Sequence, residues 1–138
     1  MTAIYALALL LGFVAGLRSF TAPAAVFLQR GGVAGYLFGV GAILEMIMDA
    51  MPRTAARTSA RGLTARIVSG IVVGWFFCSF HGANPLLGAL LSVVGALAGT
   101  FLGLRARLAA IPRLGALSAA LLEDFIAIGL AIFAVARG

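Results

Sequence analysis

Residues 85–104 read PLLGALLSVVGALAGTFLGL, a stretch with no charged residue that is long enough to cross a bilayer as an α-helix. The rest of the chain has the same character. Of its 138 residues, 63% are hydrophobic and only 10% are charged, whereas soluble domains are about half apolar and a quarter charged. The sequence therefore predicts an all-α integral membrane protein with one transmembrane domain over residues 1–138, which leaves no room for a separate soluble catalytic domain.

Four further apolar stretches have a similar length, so the sequence predicts about five transmembrane helices. The five stretches are 3–17, 33–50, 63–80, 85–104 and 115–136. After the first, Thr21 and Pro23 are typical of a helix N-cap and a first helical turn, and they precede an apolar piece too short to cross alone. We expect a short broken helix over residues 19–29 that spans, re-enters or lies at the interface.

The charge distribution predicts the orientation of the spans. The formal net charge is +6, and all ten basic residues are arginine. The loops over 51–62 and 105–113 are rich in arginine, whereas the loop over 81–85 carries no formal charge. With five spans, the positive-inside rule places the N-terminus and both arginine-rich loops in the cytoplasm and the C-terminus outside.

Three arginines of the first basic loop recur every four residues: Arg53, Arg57 and Arg61. If that loop is helical they form one basic stripe, which we expect to contact anionic lipid headgroups, with a specific partner site as the alternative. The basic groups lack interleaved aromatic residues. We therefore expect no nucleic acid among the partners.

Two segments repeat the same order of residues. Residues 12–18, GFVAGLR, correspond to residues 99–105, GTFLGLR, and each copy is followed one helix later by Leu-Glu, at 44–45 and 122–123. Three crossings would separate the copies, which would then run in opposite directions. We therefore predict an inverted internal repeat, with repeat 1 over about 3–50, a connecting helix over about 63–80 and repeat 2 over about 85–136.

Glycines at helical spacing predict close contacts between helices, as in the steps from Gly12 to Gly16 and from Gly95 to Gly99. Tight packing within one chain is the simpler interpretation, and a dimer seam is the alternative. We nevertheless expect a homodimer or higher homo-oligomer, because five short helices leave little interior for a solute path.

All four acidic residues fall within or at the edge of apolar stretches: Glu45, Asp49, Glu123 and Asp124. Charges in the hydrocarbon normally face a partner or a water-filled cavity. In a structural interpretation, Glu45 and Glu123 accept Arg18 and Arg105 in buried pairs. In a functional one, the carboxylates bind a proton or a cation.

Asp49, Asp124 and the residues at the predicted break, Arg18, Ser19 and Thr21, are further candidates for the site. Asp49 is expected to form an interfacial ion pair with Arg53. Glu123 and Asp124 are adjacent, so only one of them is expected to point straight at the interior. Arg18, Ser19 and Thr21 precede the short helix, so they could form an anion site with its free amides. The alternative is that Arg18 extends to the lipid headgroups.

Neither a cofactor nor a metal ion is expected, and we do not expect an enzyme. The single cysteine, Cys78, lies in an apolar run, and His81 has no second histidine or cysteine placed to complete a metal site. The sequence has no Walker loop, no HExxH and no recognisable pairing of nucleophile and base.

Two hypotheses of function follow from these residues. The first is a small transporter or channel-like permease for an ion or small solute, with the intramembrane carboxylates at its site. The second is a structural or lipid-binding membrane protein in which the same charges only hold the helices together. A sealed arginine–carboxylate network would favour the second, and a carboxylate facing a wet cavity would favour the first.

Three blocks carry a resemblance to a known family: GLRSFTAP at 16–23, the Leu-Glu step at 44–45 followed by Asp49 and Pro52, and LLEDFIAIGL at 121–130. In these blocks the chain resembles a bacterial family of small multi-spanning inner-membrane proteins that is defined as a domain of unknown function. The resemblance extends over nearly the whole chain and implies a location in the bacterial inner membrane. It implies no substrate.

Overall fold

The computed structural model describes residues 2–49 and 60–138, and all regular secondary structure in these ranges is helical. The prediction of an all-helical chain is confirmed. The helices are α1 (Thr2–Leu17), α2 (Thr21–Arg30), α3 (Val33–Asp49), α4 (Ala60–Phe80), α5 (Pro85–Leu114) and α6 (Ala116–Arg137).

Three of these helices contain segments long and apolar enough to cross a membrane: Gly62–Phe80, Pro85–Leu114 and Ser118–Arg137. Two further apolar helical segments, Thr2–Leu17 and Val33–Glu45, are shorter. Large apolar side chains are exposed on the outside of the bundle, with Phe125 76% and Val33 73% exposed. Such a surface suits contact with lipid rather than water.

The centre of the fold is the contact between α1 and α5. The hydroxyl of Ser92 donates to the carbonyl oxygen of Ala8 at 2.6 Å, and that of Thr100 donates to Gly16 at 3.3 Å. Both pairs are separated by 84 residues, so the register is constant and the two helices run in the same direction.

Glycine makes this close approach sterically allowed. A Cβ atom added at Gly12 or Gly16 would overlap backbone atoms of α5, and one added at Gly95 or Gly99 would overlap backbone atoms of α1. Backbones this close gain dispersion contacts and admit hydrogen bonds from small polar side chains. The prediction that these glycines pack helices within one chain is confirmed.

The parallel course of α1 and α5 contradicts the predicted opposite directions of the two repeated segments. The cause is α2, which reverses the chain although it is only 10 residues long. Gln29, near its end, donates to the carbonyl oxygen of Val135, and Arg30 donates to that of Phe80, both at 3.0 Å. The chain thus reverses once more between α1 and α5 than a count of long apolar stretches suggests.

α3 then returns along α2. A Cβ at Gly35 would overlap the backbone of Leu28, whereas Glu45, ten residues later, contacts the start of α2. The six helices therefore alternate in direction along the described chain. The bundle has two distinct ends, which we name by their residues. The terminal end holds Tyr5, Arg30, His81 and Asn84, and the arginine end holds Arg18, Arg66, Arg107 and Arg113.

Both chain termini lie at the terminal end. The hydroxyl of Tyr5 accepts the backbone N–H of Asn84 at 3.1 Å, and Gly138 lies against Phe77 and His81. The predicted five-span arrangement has its N- and C-termini at opposite ends of the bundle, whereas here both lie at the same end. The difference has the same origin as that in the repeat, because α2 was not counted as a change of direction.

Candidate functional site

The site is built around the break between α1 and α2. Proline has no N–H, so Pro23 cannot donate to the carbonyl oxygen of Ser19 as a helix would require. The hydroxyl of Ser69 on α4 donates to that oxygen instead. The break also leaves the carbonyl oxygen of Gly16 without its helical donor. This oxygen accepts hydrogen bonds from Nε–H of Arg66 at 2.9 Å and from the hydroxyl of Thr100.

Glu45 of α3 supplies the acceptors for the amides at the break. Its Oε1 accepts the N–H of Ser19 at 2.9 Å and its Oε2 accepts the N–H of Phe20 at 3.0 Å. Phe20 precedes the first helical residue of α2, and no side chain of the local sequence caps this helix. A carboxylate at a helix N-terminus also interacts favourably with the helix dipole. The predicted N-cap role of Thr21 is wrong, because Phe20 occupies the N-cap position and Thr21 is the first residue of the helix.

The position of Glu45 changes two predictions. Its ion-pair partner is Arg66, with NH2 4.0 Å from Oε1, rather than Arg18. The amides of Ser19 and Phe20, which immediately precede the helix expected to form an anion site, are bound by the chain's own carboxylate. Ser19 and Thr21 are buried as this hypothesis required, and Thr21 Oγ1 has no hydrogen-bond partner among the described residues.

Arg18 does not extend to the lipid headgroups, since its side chain is completely buried. It forms an ion pair with Asp124, its NH2 lies 3.8 Å from Oε2 of Glu123, and NH2 also donates to the carbonyl oxygen of Ala120 at 3.5 Å. The expectation that only one of these two adjacent acids would point at the interior is therefore wrong. Both acids approach Arg18, which ties the break to α6.

The second partner of Glu123 is Arg107, with NH1 3.6 Å from Oε2. The predicted partner, Arg105, is exposed on α5, and the ion pairs among the described residues come from other arginines. Two residues correspond to about 200° around a helix, so Arg105 and Arg107 point to nearly opposite sides. The repeat indicated the right region of α5 but the wrong arginine.

Together these six side chains form what we call the charge network: Arg18, Glu45, Arg66, Arg107, Glu123 and Asp124. They come from the break, α3, α4, α5 and α6, and their formal charges cancel. Glu123 precedes Arg137 by 14 residues, about 21 Å along α6, whereas the hydrocarbon is about 30 Å thick. The network thus lies between the middle of the bundle and its arginine end.

A cleft of about 280 Å³ opens beside the charge network, between α1, α5 and α6. Its polar side chains are Arg107 and Glu123. Its other lining residues are Phe13, Leu17, Leu102, Gly103, Ala106, Ala110, Ala119, Leu122 and Ile126. One acid of the network therefore also faces a cleft, and the walls of that cleft are apolar.

Sequence reasoning missed Arg66 and Arg107 as site residues, because Arg107 was assigned to a loop and Arg66 was grouped with the basic residues between two spans although it lies within the stretch 63–80. A signal for Arg66 was present. Its spacing to Ser69, Val73 and Phe77 follows one helical face, and all four residues are buried. The predicted roles of four other residues are not tested by the structure. Arg53 and Arg57 lie outside the described residues, and the side chains of Asp49 and Arg61 are not among the described ones.

Comparison with protein-family models, with curated proteins and with solved structures finds no match to this chain. The resemblance to the family of small inner-membrane proteins stays a prediction. The function has to be argued from the site itself.

Proposed function

We propose that this protein is a small membrane permease for an ion or small solute, with the charge network as its site. The observation that carries the proposal is the convergence of three arginines and three carboxylates around a broken helix inside an apolar bundle. Ionisable groups within a membrane are costly and normally serve a substrate, ion or proton path. Broken helices whose ends meet charged groups are typical of transporter sites.

Stability alone is a weak reason for such a network. Replacing a buried ion pair by apolar residues of similar volume is often neutral or stabilising. Glu123 is also shared between Arg18 and Arg107 and lines the cleft. A proton or solute that alters the charge of Glu123 would loosen the link between the break and α6. That change would allow α6 and α2 to exchange between two arrangements, as alternating access requires.

The proposed arrangement in the membrane extends to all the long helices. α1 and α3 cross beside the three longer spans, and α2 reaches part of the way. The positive-inside rule then places the arginine end in the cytoplasm of a bacterial cell and both termini outside.

A homo-oligomer is part of the proposal. α3 packs mainly against α2. Its outer face exposes seven large apolar side chains: Val33, Tyr36, Leu37, Val40, Ile43, Leu44 and Ile47. A second copy could pack against this face, which a single chain leaves to lipid.

A structural role is the second candidate, and one observation favours it. Each of the three acids lies within 4.0 Å of an arginine, and Arg18 is completely buried. A sealed set of ion pairs of this kind can hold the broken helix in register without moving anything.

The experiment that separates the two roles is a flux assay in proteoliposomes with an internal pH dye and a panel of ions and small anions. The variants are Glu123→Gln and Glu45→Gln, each compared with Arg105→Gln, an exposed charge outside the network. Permease function predicts flux in the wild type and in Arg105→Gln, and loss of flux in folded Glu123→Gln. Absence of flux for the whole panel, together with loss of folding in both network variants, would favour the structural role.

A further inference from the structure

The cleft between α5 and α6 has the composition of a lipid site. Nine of its eleven lining residues are apolar, and Ala106, Ala110 and Ala119 keep it open by their small size. Its rim continues into apolar side chains that face outward, since Leu102 is 54% exposed and Leu122 and Ile126 are each 48% exposed. The cleft therefore opens sideways, toward the acyl chains of the bilayer.

Arg107, at the polar end of the cleft, lies near headgroup depth along α5. Arg107 follows Pro85 by 22 residues, about 33 Å along α5, which slightly exceeds the thickness of the hydrocarbon. Its side chain is 18% exposed while it contacts Glu123. A guanidinium has five N–H donors and can bind a carboxylate and a phosphate at the same time.

The charge at this end favours an anionic occupant. Arg105 and Arg113 are exposed on the same helix as Arg107, whereas the three acids with described side chains at the arginine end are already within 4.0 Å of arginines. A second copy in the same orientation would bring arginines against arginines here. A phosphate would complement them.

We propose that this cleft binds one anionic phospholipid of the surrounding bilayer, with an acyl chain along the apolar walls and the phosphate on Arg107. The site is distinct from the basic loop that the sequence predicts to contact headgroups in general. It does not depend on transport, since a bound lipid would occupy the cleft in either functional role.

The test is lipid retention by the purified protein, measured by native mass spectrometry during titration with phosphatidylglycerol or phosphatidylcholine. We expect one phosphatidylglycerol to bind preferentially and Arg107→Gln to weaken its binding about tenfold, as loss of one charge-assisted hydrogen bond would. Arg105→Gln is the matched control, because it removes the same charge from the same helix outside the cleft. It should leave this binding nearly unchanged.

A second variant tests the apolar part of the site. Ala106→Trp fills the cleft and should abolish retention of the lipid while circular dichroism shows an unchanged helix content. Equal retention of both lipids, or equal losses in Arg105→Gln and Arg107→Gln, would overturn the proposal in favour of general surface attraction. A dimer that Ala106→Trp disrupts, with no lipid retained by the wild type, would overturn it in favour of a second copy.

Discussion

Arg66 donates a hydrogen bond from Nε to the carbonyl oxygen of Gly16 at 2.9 Å, although 50 residues separate them in sequence. The carbonyl oxygen belongs to the last turn of α1, where the break removes its helical donor. The same guanidinium lies 4.0 Å from Glu45, which accepts the N–H groups of Ser19 and Phe20 just before α2. One side chain of α4 therefore contacts both sides of the break.

Replacing Arg66 by glutamine should destabilise the fold, because the partly buried carboxylate of Glu45 loses its cation and the carbonyl oxygen of Gly16 loses a donor. We expect the free energy of unfolding to fall by about 2–4 kcal/mol. Unfolding in mixed micelles followed by circular dichroism measures this change. Arg113→Gln, an exposed arginine of the same end, should change it little. Equal effects of the two substitutions would contradict the role given to Arg66.

The contact between α1 and α5 predicts a difference between two glycines. Gly12→Ala places a methyl group against the backbone of Ser92 and should cost about 1–3 kcal/mol, as overpacking does. Gly129→Ala adds the same methyl group within α6, where nothing lies within 4 Å, and should be neutral or slightly stabilising. Thermal unfolding of the two variants in the same detergent compares them. A stable Gly12→Ala would show that the backbones do not approach this closely.

The alternating direction of the helices predicts that both termini are accessible from one side of the membrane. Thr2→Cys, Arg137→Cys and Arg113→Cys can be compared in a Cys78→Ala background, which removes the native thiol. An impermeant maleimide added outside sealed cells should label the first two positions alike and the third oppositely. Labelling of Thr2→Cys and Arg137→Cys from opposite sides would restore the five-span arrangement and exclude this one.

The ion pair between Arg18 and Asp124 predicts a strong energetic coupling. Arg18→Gln and Asp124→Asn should each lower the free energy of unfolding. In the double variant the decrease should be smaller than the sum of the two single decreases. We expect a coupling free energy of about 1–3 kcal/mol from the double-mutant cycle. The pair Arg30→Gln and Asp124→Asn, at opposite ends of the bundle, should be additive. Additivity for the first pair would mean that Arg18 does not hold α6.

How well each site residue could be predicted depends on how far apart in the sequence the contacting residues are. The identity of the buried acids and of Arg18 could be predicted, because a charge within an apolar stretch is visible in the sequence. Their partners could not be predicted, since Arg66 reaches Glu45 and Gly16 only when α4 lies beside the break. A short sequence repeat pointed to Arg105 as the partner of Glu123. The partner is Arg107, because the direction of each side chain around α5 decides which arginine reaches Glu123.

Composition and the length of the apolar stretches were enough to predict a helical chain suited to a membrane, because they set the solvent in which a chain folds. The spacing of small residues was enough to predict close contacts between helices. Three features became apparent only in the folded bundle: the number of reversals, the parallel course of α1 and α5 and the pairing within the charge network. A helix of 10 residues reverses the chain as fully as a longer one does, yet its hydropathy gives no such signal. Its placement depends on distant donors and acceptors, chiefly those of Glu45, Arg66 and Ser69.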